Sequence, residues 1–237
     1  MPKRTLQPDL IADSAALLGR RVEERFPGSG LGKAVAELAA VAREAGAKAD
    51  ALARPLLPLR ASVWALAAVL VAALVYAARG ASMASTADSK LTDLLQAADA
   101  AVNLALLLGA AIYSLWNFEE RLKRREALAL LHELRALSHV VDMHQLTKDP
   151  ATLRGRAGAT ASSPKRDMSA EDLGRYLDYC SEALALIGKV GAVYAQKVQD
   201  PVVLEAVDGI EDLSTGLARK VWQKIAILQG AASRGAA

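Results

Sequence analysis

The sequence predicts an all-α protein: a two-span transmembrane helical hairpin carrying a cytoplasmic helical bundle. Three observations predict it. Two long blocks lack any charged side chain, apolar residues elsewhere recur every three or four positions, and no period-two run of β-branched residues occurs. Composition agrees. Apolar residues make up 53% of the 237 positions, aromatics only 4%, and mean hydropathy is +0.19, which excludes a disordered chain. Lys and Arg (29) against Asp and Glu (26) give +3, too small a bias to argue for nucleic acid. One cysteine, Cys180, excludes a disulfide scaffold or a Cys-rich metal module, and no cofactor is expected.

The chain divides into residues 1–55, 56–119 and 120–237. In the first part Leu10, Ile11, Leu18, Val22 and Phe26 have helical spacing, and Pro27-Gly28-Ser29-Gly30 ends that helix. A second helix, about Leu31 to Leu52, presents Val35, Leu38 and Val41, and Pro55 and Pro58 close it.

The first span is Ala61 to Ala78, uncharged and bounded by Arg60 and Arg79. Eighteen helical residues reach roughly 27 Å, close to the ~30 Å hydrocarbon core of a bilayer. The second span is Ala100 to Phe118, bounded by Asp99 and Glu119. A soluble core helix rarely stays uncharged on every face for that length. No signal-peptide pattern opens the chain, so the first span reads as an uncleaved anchor.

Charge orients the hairpin. Lys48, Arg54 and Arg60 precede the first span, and Arg121, Lys123, Arg124 and Arg125 follow the second. The intervening loop, Arg79 to Asp99, holds only Arg79 and Lys90. Positive flanks stay inside, so both termini are expected in the cytoplasm. Trp64, Tyr113, Trp116 and Phe118 gather at that interface and Tyr76 at the opposite one. The Ala- and Arg-rich composition suits a high-GC bacterium, hence an inner membrane. The four cations after the second span are expected to contact lipid headgroups.

The second span should leave the bilayer as one helix, because no breaker appears before Pro150. Leu130, Leu134, Leu137 and Val141 form a coiled-coil type seam on it. A small-residue loop, Pro150 to Asp167, is the candidate for flexibility. Ser169 and Asp172 then form a capping box, with Met168 and Leu173 as its staple. That helix carries Tyr176, Cys180, Leu184, Ile187 and Tyr194 and ends near Gln199. Asp200-Pro201 starts the last helix, whose Val207, Ile210, Leu213, Leu217, Val221, Ile225 and Leu228 form a second seam capped by Gly230. Both seams are expected to join subunits of a homo-oligomer.

Chemistry-bearing motifs are sparse. Gly28-Ser29-Gly30-Leu31-Gly32-Lys33 lacks the spacing, the Ser or Thr after Lys and the preceding strand of a phosphate loop, so it reads as a turn and helix start. His132-Glu133-Leu134-Arg135 resembles the start of the phosphoacceptor box of sensor histidine kinases, where the His accepts a phosphoryl group and the adjacent Glu assists proton transfer. The resemblance covers four residues. Ala136-Leu137 replaces the usual Thr-Pro, and no ATP-binding domain accompanies it. All three histidines, His132, His139 and His144, share this helix with Asp142, but their spacing supplies no paired metal motif. Cys180 reads as a core thiol without a neighbouring base.

His132, Glu133, Arg135, His139, Asp142 and His144 therefore form the candidate surface for a cytoplasmic protein partner. On the second span Thr92, Gln96, Asp99, Asn103, Ala110, Ser114 and Asn117 fall on one stripe, which should face protein or water. Rows of small residues (Ala61, Ala65, Ala68, Ala72; Ala101, Ala105, Gly109) would let helices approach closely. The leading expectation is a non-enzymatic membrane scaffold. The alternatives are an oligomeric channel lined by Asp99 and Asn103, and a phosphotransfer protein using His132.

Overall fold

A computed structural model describes residues 5–84, 90–148, 150 and 168–235. These residues form α1 (Pro8–Arg25), α2 (Gly30–Ala53), α3 (Leu57–Ala84), α4 (Lys90–Leu146), α5 (Ala170–Lys197) and α6 (Pro201–Gly235), and no strand occurs among them. The chain splits into two compact units. Residues 1–53 and 126–237 build a bundle unit, and residues 54–125 build a hairpin unit. The expected loop from Pro150 to Asp167 lies outside the described residues, apart from Pro150.

In the bundle unit the helices before the hairpin and those after it share one core. Ile11, Ala15, Leu18 and Val22 of α1 pack with Leu31, Val35, Leu38 and Ala45 of α2 and with Leu177, Leu184, Ile187 and Tyr194 of α5. Each of these stripes is wider than one neighbouring helix can cover, so α1 and α2 both lie against α5. Burying the set removes apolar surface worth about 25 cal/mol per Å².

The two seams expected between subunits are used inside this one chain. Leu134, Leu137 and Val141 of α4, and Val207, Ile210, Leu217, Val221 and Ile225 of α6, are all buried in the same core. Leu130, Leu213 and Leu228 pack partly buried against it. Five helices of one unit thus pack these two seams against each other.

Local chemistry sets the helix ends. Gly28 takes φ of 70°, a left-handed turn, and its N–H donates to Glu23 Oε1 at 2.9 Å. Ser29 Oγ then accepts from the Gly32 N–H at 3.1 Å, starting α2. At α5, Ser169 Oγ accepts from the Asp172 N–H at 3.0 Å. Asp172 does not reach back to the Ser169 N–H as a full capping box would. Its Oδ2 instead accepts the Ser169 hydroxyl at 2.8 Å, and its Oδ1 accepts from Arg25. Asp200 Oδ1 accepts from the Val202 and Val203 N–H groups to start α6. Gly230 does not cap α6, which runs on to Gly235. Gly28 is the one positive-φ glycine among the described residues, and a glycine ends a helix through that conformation.

In the hairpin unit α3 and α4 extend past the expected spans, α3 to Ala84 and α4 from Lys90. Two helices are long and apolar enough to cross a membrane, and none of their apolar window is buried within the chain. Trp64, Val69, Tyr76, Leu95, Leu106, Leu107 and Tyr113 are each more than 60% exposed. The half-buried positions are Val63, Ala67 and Leu70 on α3 and Leu104, Leu108, Ala111 and Leu115 on α4, again at three-and-four spacing. The rows Ala61, Ala65, Ala68, Ala72 and Ala101, Ala105, Gly109 are exposed, so close approach of small residues is not what joins this pair.

Candidate functional site

The hairpin base is the most developed polar site outside the bundle core. Glu119 ends the uncharged run of α4, yet it is only 5% exposed. Its Oε2 accepts from Arg60 Nε at 3.0 Å, and its Oε1 accepts from the Leu56 N–H at 3.1 Å. Lys123 Nζ lies 2.9 Å from Oε1, one turn further along α4. Pro55 and Pro58 bracket this corner, and the Glu119 carboxylate takes up the Leu56 N–H. Burial pushes the Glu119 carboxyl upward, but hydrogen bonds from Arg60, Lys123 and Leu56 outweigh it and hold it at about 2. Sequence reasoning used Glu119 only as a boundary. A lone acid at the end of an apolar run, with Arg four residues inside the facing helix, was the available signal.

Of the cations expected at headgroups, Lys123 therefore faces Glu119. Arg121 and Arg125 are exposed, and Arg124 is half-buried.

The candidate partner surface divides. His132, Glu133, Arg135 and His139 are exposed on α4, whereas Asp142 and His144 are half-buried. His132 Nδ1–H donates to the Leu128 carbonyl at 2.9 Å, a bond within its own helix. His144 packs on Gly30, where an added Cβ would overlap its ring. Asp142 Oδ1 accepts from Gln145 Nε2 at 2.6 Å. The exposed stripe is completed by Val140, Met143 and Leu146, which the sequence reading did not single out. Among the described residues no three His, Cys, Asp or Glu side chains gather as metal ligands.

On α4, Gln96, Asp99, Asn103 and Ser114 are exposed and Asn117 is half-buried. Asn103 Nδ2 donates to Asp99 Oδ2 at 3.2 Å, and Asn117 Nδ2 donates to the Tyr113 carbonyl at 3.0 Å. These local bonds satisfy part of the stripe within its own helix.

A buried polar seam joins α4 to α6. Lys224 Nζ donates to the Gln145 carbonyl at 2.7 Å and also to Gln145 Oε1. Ser138 and Ser214 hydroxyls lie 3.5 Å apart in the core. Burial pushes the adjacent Cys180 thiol up to about 12, against the pull of Lys224. That thiol is inert as a nucleophile at neutral pH. Tyr194 is fully buried, and its hydroxyl has no hydrogen-bond partner among the described residues.

Comparison adds no relative: no protein family, no curated protein and no solved structure matches this chain.

Proposed function

We propose that the protein is a membrane-anchored helical scaffold. In this reading the hairpin unit crosses a bacterial inner membrane, and the bundle unit stands in the cytoplasm and binds a protein partner without catalysis. The observation that carries it is where the bundle unit gets its helices. It draws α1 and α2 from before the hairpin, and part of α4 with α5 and α6 from after it. One compact core cannot have a bilayer between its halves, so both flanks must lie on one side. An even number of spans meets that condition. The seven cations flanking the hairpin, against two in its loop, favour the cytoplasmic side. The bare apolar faces of α3 and α4 favour lipid over water as their surroundings.

The partner surface in this reading is the outward stripe of α4, with His132, Arg135 and His139 beside Val140, Met143 and Leu146. The anchor is tested by carbonate washing of vesicles and by protease protection of tags at the two termini. The protein stays in the pellet with both tags cleaved from the cytoplasmic side. Release into the supernatant, or opposite protection of the two tags, would refute the anchor. The scaffold role is tested by Arg135→Glu/Met143→Asp, which removes partner capture while leaving helicity unchanged.

A second reading, an oligomeric pore, draws on the outward polar residues Gln96, Asp99, Asn103 and Ser114, since one hairpin cannot enclose a water path. Asn103→Leu abolishes ion flux in liposomes if that reading holds. Unchanged flux, or a dimeric mass in detergent, counts against it.

A further inference from the structure

We propose that Arg121 and Arg125 form a binding site for the phosphate of an anionic phospholipid headgroup. The inference rests on the membrane reading above and adds to it which cations meet the lipid and which do not.

The cations at the hairpin base fall into two sets on opposite faces of α4. Glu119 and Lys123, one turn apart, occupy the inner face, where Glu119 also engages Arg60. Arg121 and Arg125 are likewise one turn apart but stand on the outer face, and both are exposed. Neither makes an ion pair among the described residues, and Glu119, paired with Arg60 and Lys123, lies on the opposite face. Their Cβ atoms are set about 5–6 Å apart by helix geometry, so two guanidinium forks can converge on one phosphate.

The rest of the outer face fits a lipid lying along it. Leu107, Ser114 and Phe118 precede the two arginines on the same face, within about 40° of one another at 100° per residue, and all are exposed. Read along the helix, the order is aliphatic, hydroxyl, aromatic ring, guanidinium, guanidinium. Leu107 to Arg125 spans about 27 Å, so an acyl chain can run beside Leu107 while its phosphate reaches the arginines. Exposed Trp64 and Tyr113 lie near this same end, at the level where aromatic rings meet headgroups. A zwitterionic choline headgroup would bring its own cation against the two guanidinia, whereas a glycerol headgroup would not. The site should therefore prefer phosphatidylglycerol to phosphatidylcholine.

The test uses the full chain, purified in detergent and titrated separately with phosphatidylglycerol, phosphatidylcholine and inorganic phosphate, with bound lipid counted by native mass spectrometry. Wild type retains phosphatidylglycerol over phosphatidylcholine. Arg121→Gln/Arg125→Gln lowers phosphatidylglycerol retention on the order of tenfold, and Arg121→Lys/Arg125→Lys gives a smaller loss because charge is kept without the fork. A control with the same charge change in the bundle unit, Arg175→Gln/Lys189→Gln, leaves retention within about twofold. An unchanged preference in the double glutamine variant overturns the site, as does an equal loss in the control. Displacement of the lipid by inorganic phosphate would show a phosphate site rather than a lipid one. If carbonate washing releases the chain, the membrane reading fails with it; if the chain stays embedded but shows no lipid preference, only this site fails.

Discussion

Arg60 and Glu119 stand 59 residues apart in sequence, and their side chains meet at 3.0 Å, tying the start of α3 to the turn of α4 that follows its uncharged run. Lys123 and the Leu56 N–H complete the arrangement around a carboxylate that is almost fully buried. Removing the acid would take away one acceptor shared by two cations and a backbone donor.

Glu119→Gln should therefore destabilise the hairpin unit on the order of 1–3 kcal/mol, between the values for exposed and fully buried ion pairs because Arg60 is partly exposed. The pH dependence has a defined sign. The folded carboxyl sits at about 2, below its ordinary 4.5, so its contribution is complete above about 4.5 and is lost as pH falls toward 2. Thermal unfolding in detergent should show wild type above the variant at pH 6, with the gap closing by about pH 2. A gap that persisted at pH 2 would assign the loss to packing rather than charge.

Gly30 has no room for a side chain. A Cβ there would overlap the His144 ring, which packs over the start of α2. Gly30→Ala forces the half-buried His144 ring, the far end of a rotatable side chain, to swing aside, and should cost on the order of 1 kcal/mol despite alanine's better helix propensity. Gly30→Ala/His144→Ala should recover much of that loss, giving a coupling term in a double-mutant cycle on urea unfolding. Strict additivity would show that the two residues do not meet.

Lys224 reaches the last turn of α4 and donates to both the carbonyl and the side-chain oxygen of Gln145, itself 2% exposed. Lys224→Met keeps most of the apolar stem but takes the donor from Gln145 Oε1, while the Gln145 carbonyl keeps the Lys148 N–H at 3.1 Å. The expected cost is about 1–3 kcal/mol, read as a lower urea midpoint with unchanged slope.

Cys180 is sealed in the core between α4, α5 and α6 residues, and burial raises its thiol to about 12. At pH 8 alkylation by iodoacetamide should run roughly a thousandfold slower than for a free cysteine, and become fast only after unfolding. Rapid labelling of the folded protein would mean that the core opens.

Much of the fold can be read directly from the chain. Helical periodicity, the Ser169 and Asp200 starts and the uncharged runs all express local rules, and all six helices follow from them. Which faces meet depends on long-range packing, and there periodicity is silent. The stripe Leu134, Leu137, Val141 looks the same whether its partner is a second subunit or the chain's own α6; the structure buries it within the chain. The partner surface was partly legible: His132 and His139 fall on the outward face, but His144 turns inward because Gly30 leaves space for a ring. Glu119 escaped notice because an acid ending an apolar run looks like an ordinary boundary until its Arg60 partner is seen.

The interleaved make-up of the bundle unit also bears on how the polypeptide is made. Arg21 bonds Glu182 across 161 positions, so α1 leaves the ribosome long before its packing partner exists. During that interval the greasy stripes of α1 and α2 have only each other for cover. Threading α3 and α4 into lipid as a tight pair would bring the two halves to the same site and shorten the effective loop that must close. In the membrane reading proposed above, insertion would be a step in the folding of the bundle unit, and a nascent chain that fails to insert should aggregate through the unpaired apolar stripes of α1 and α2.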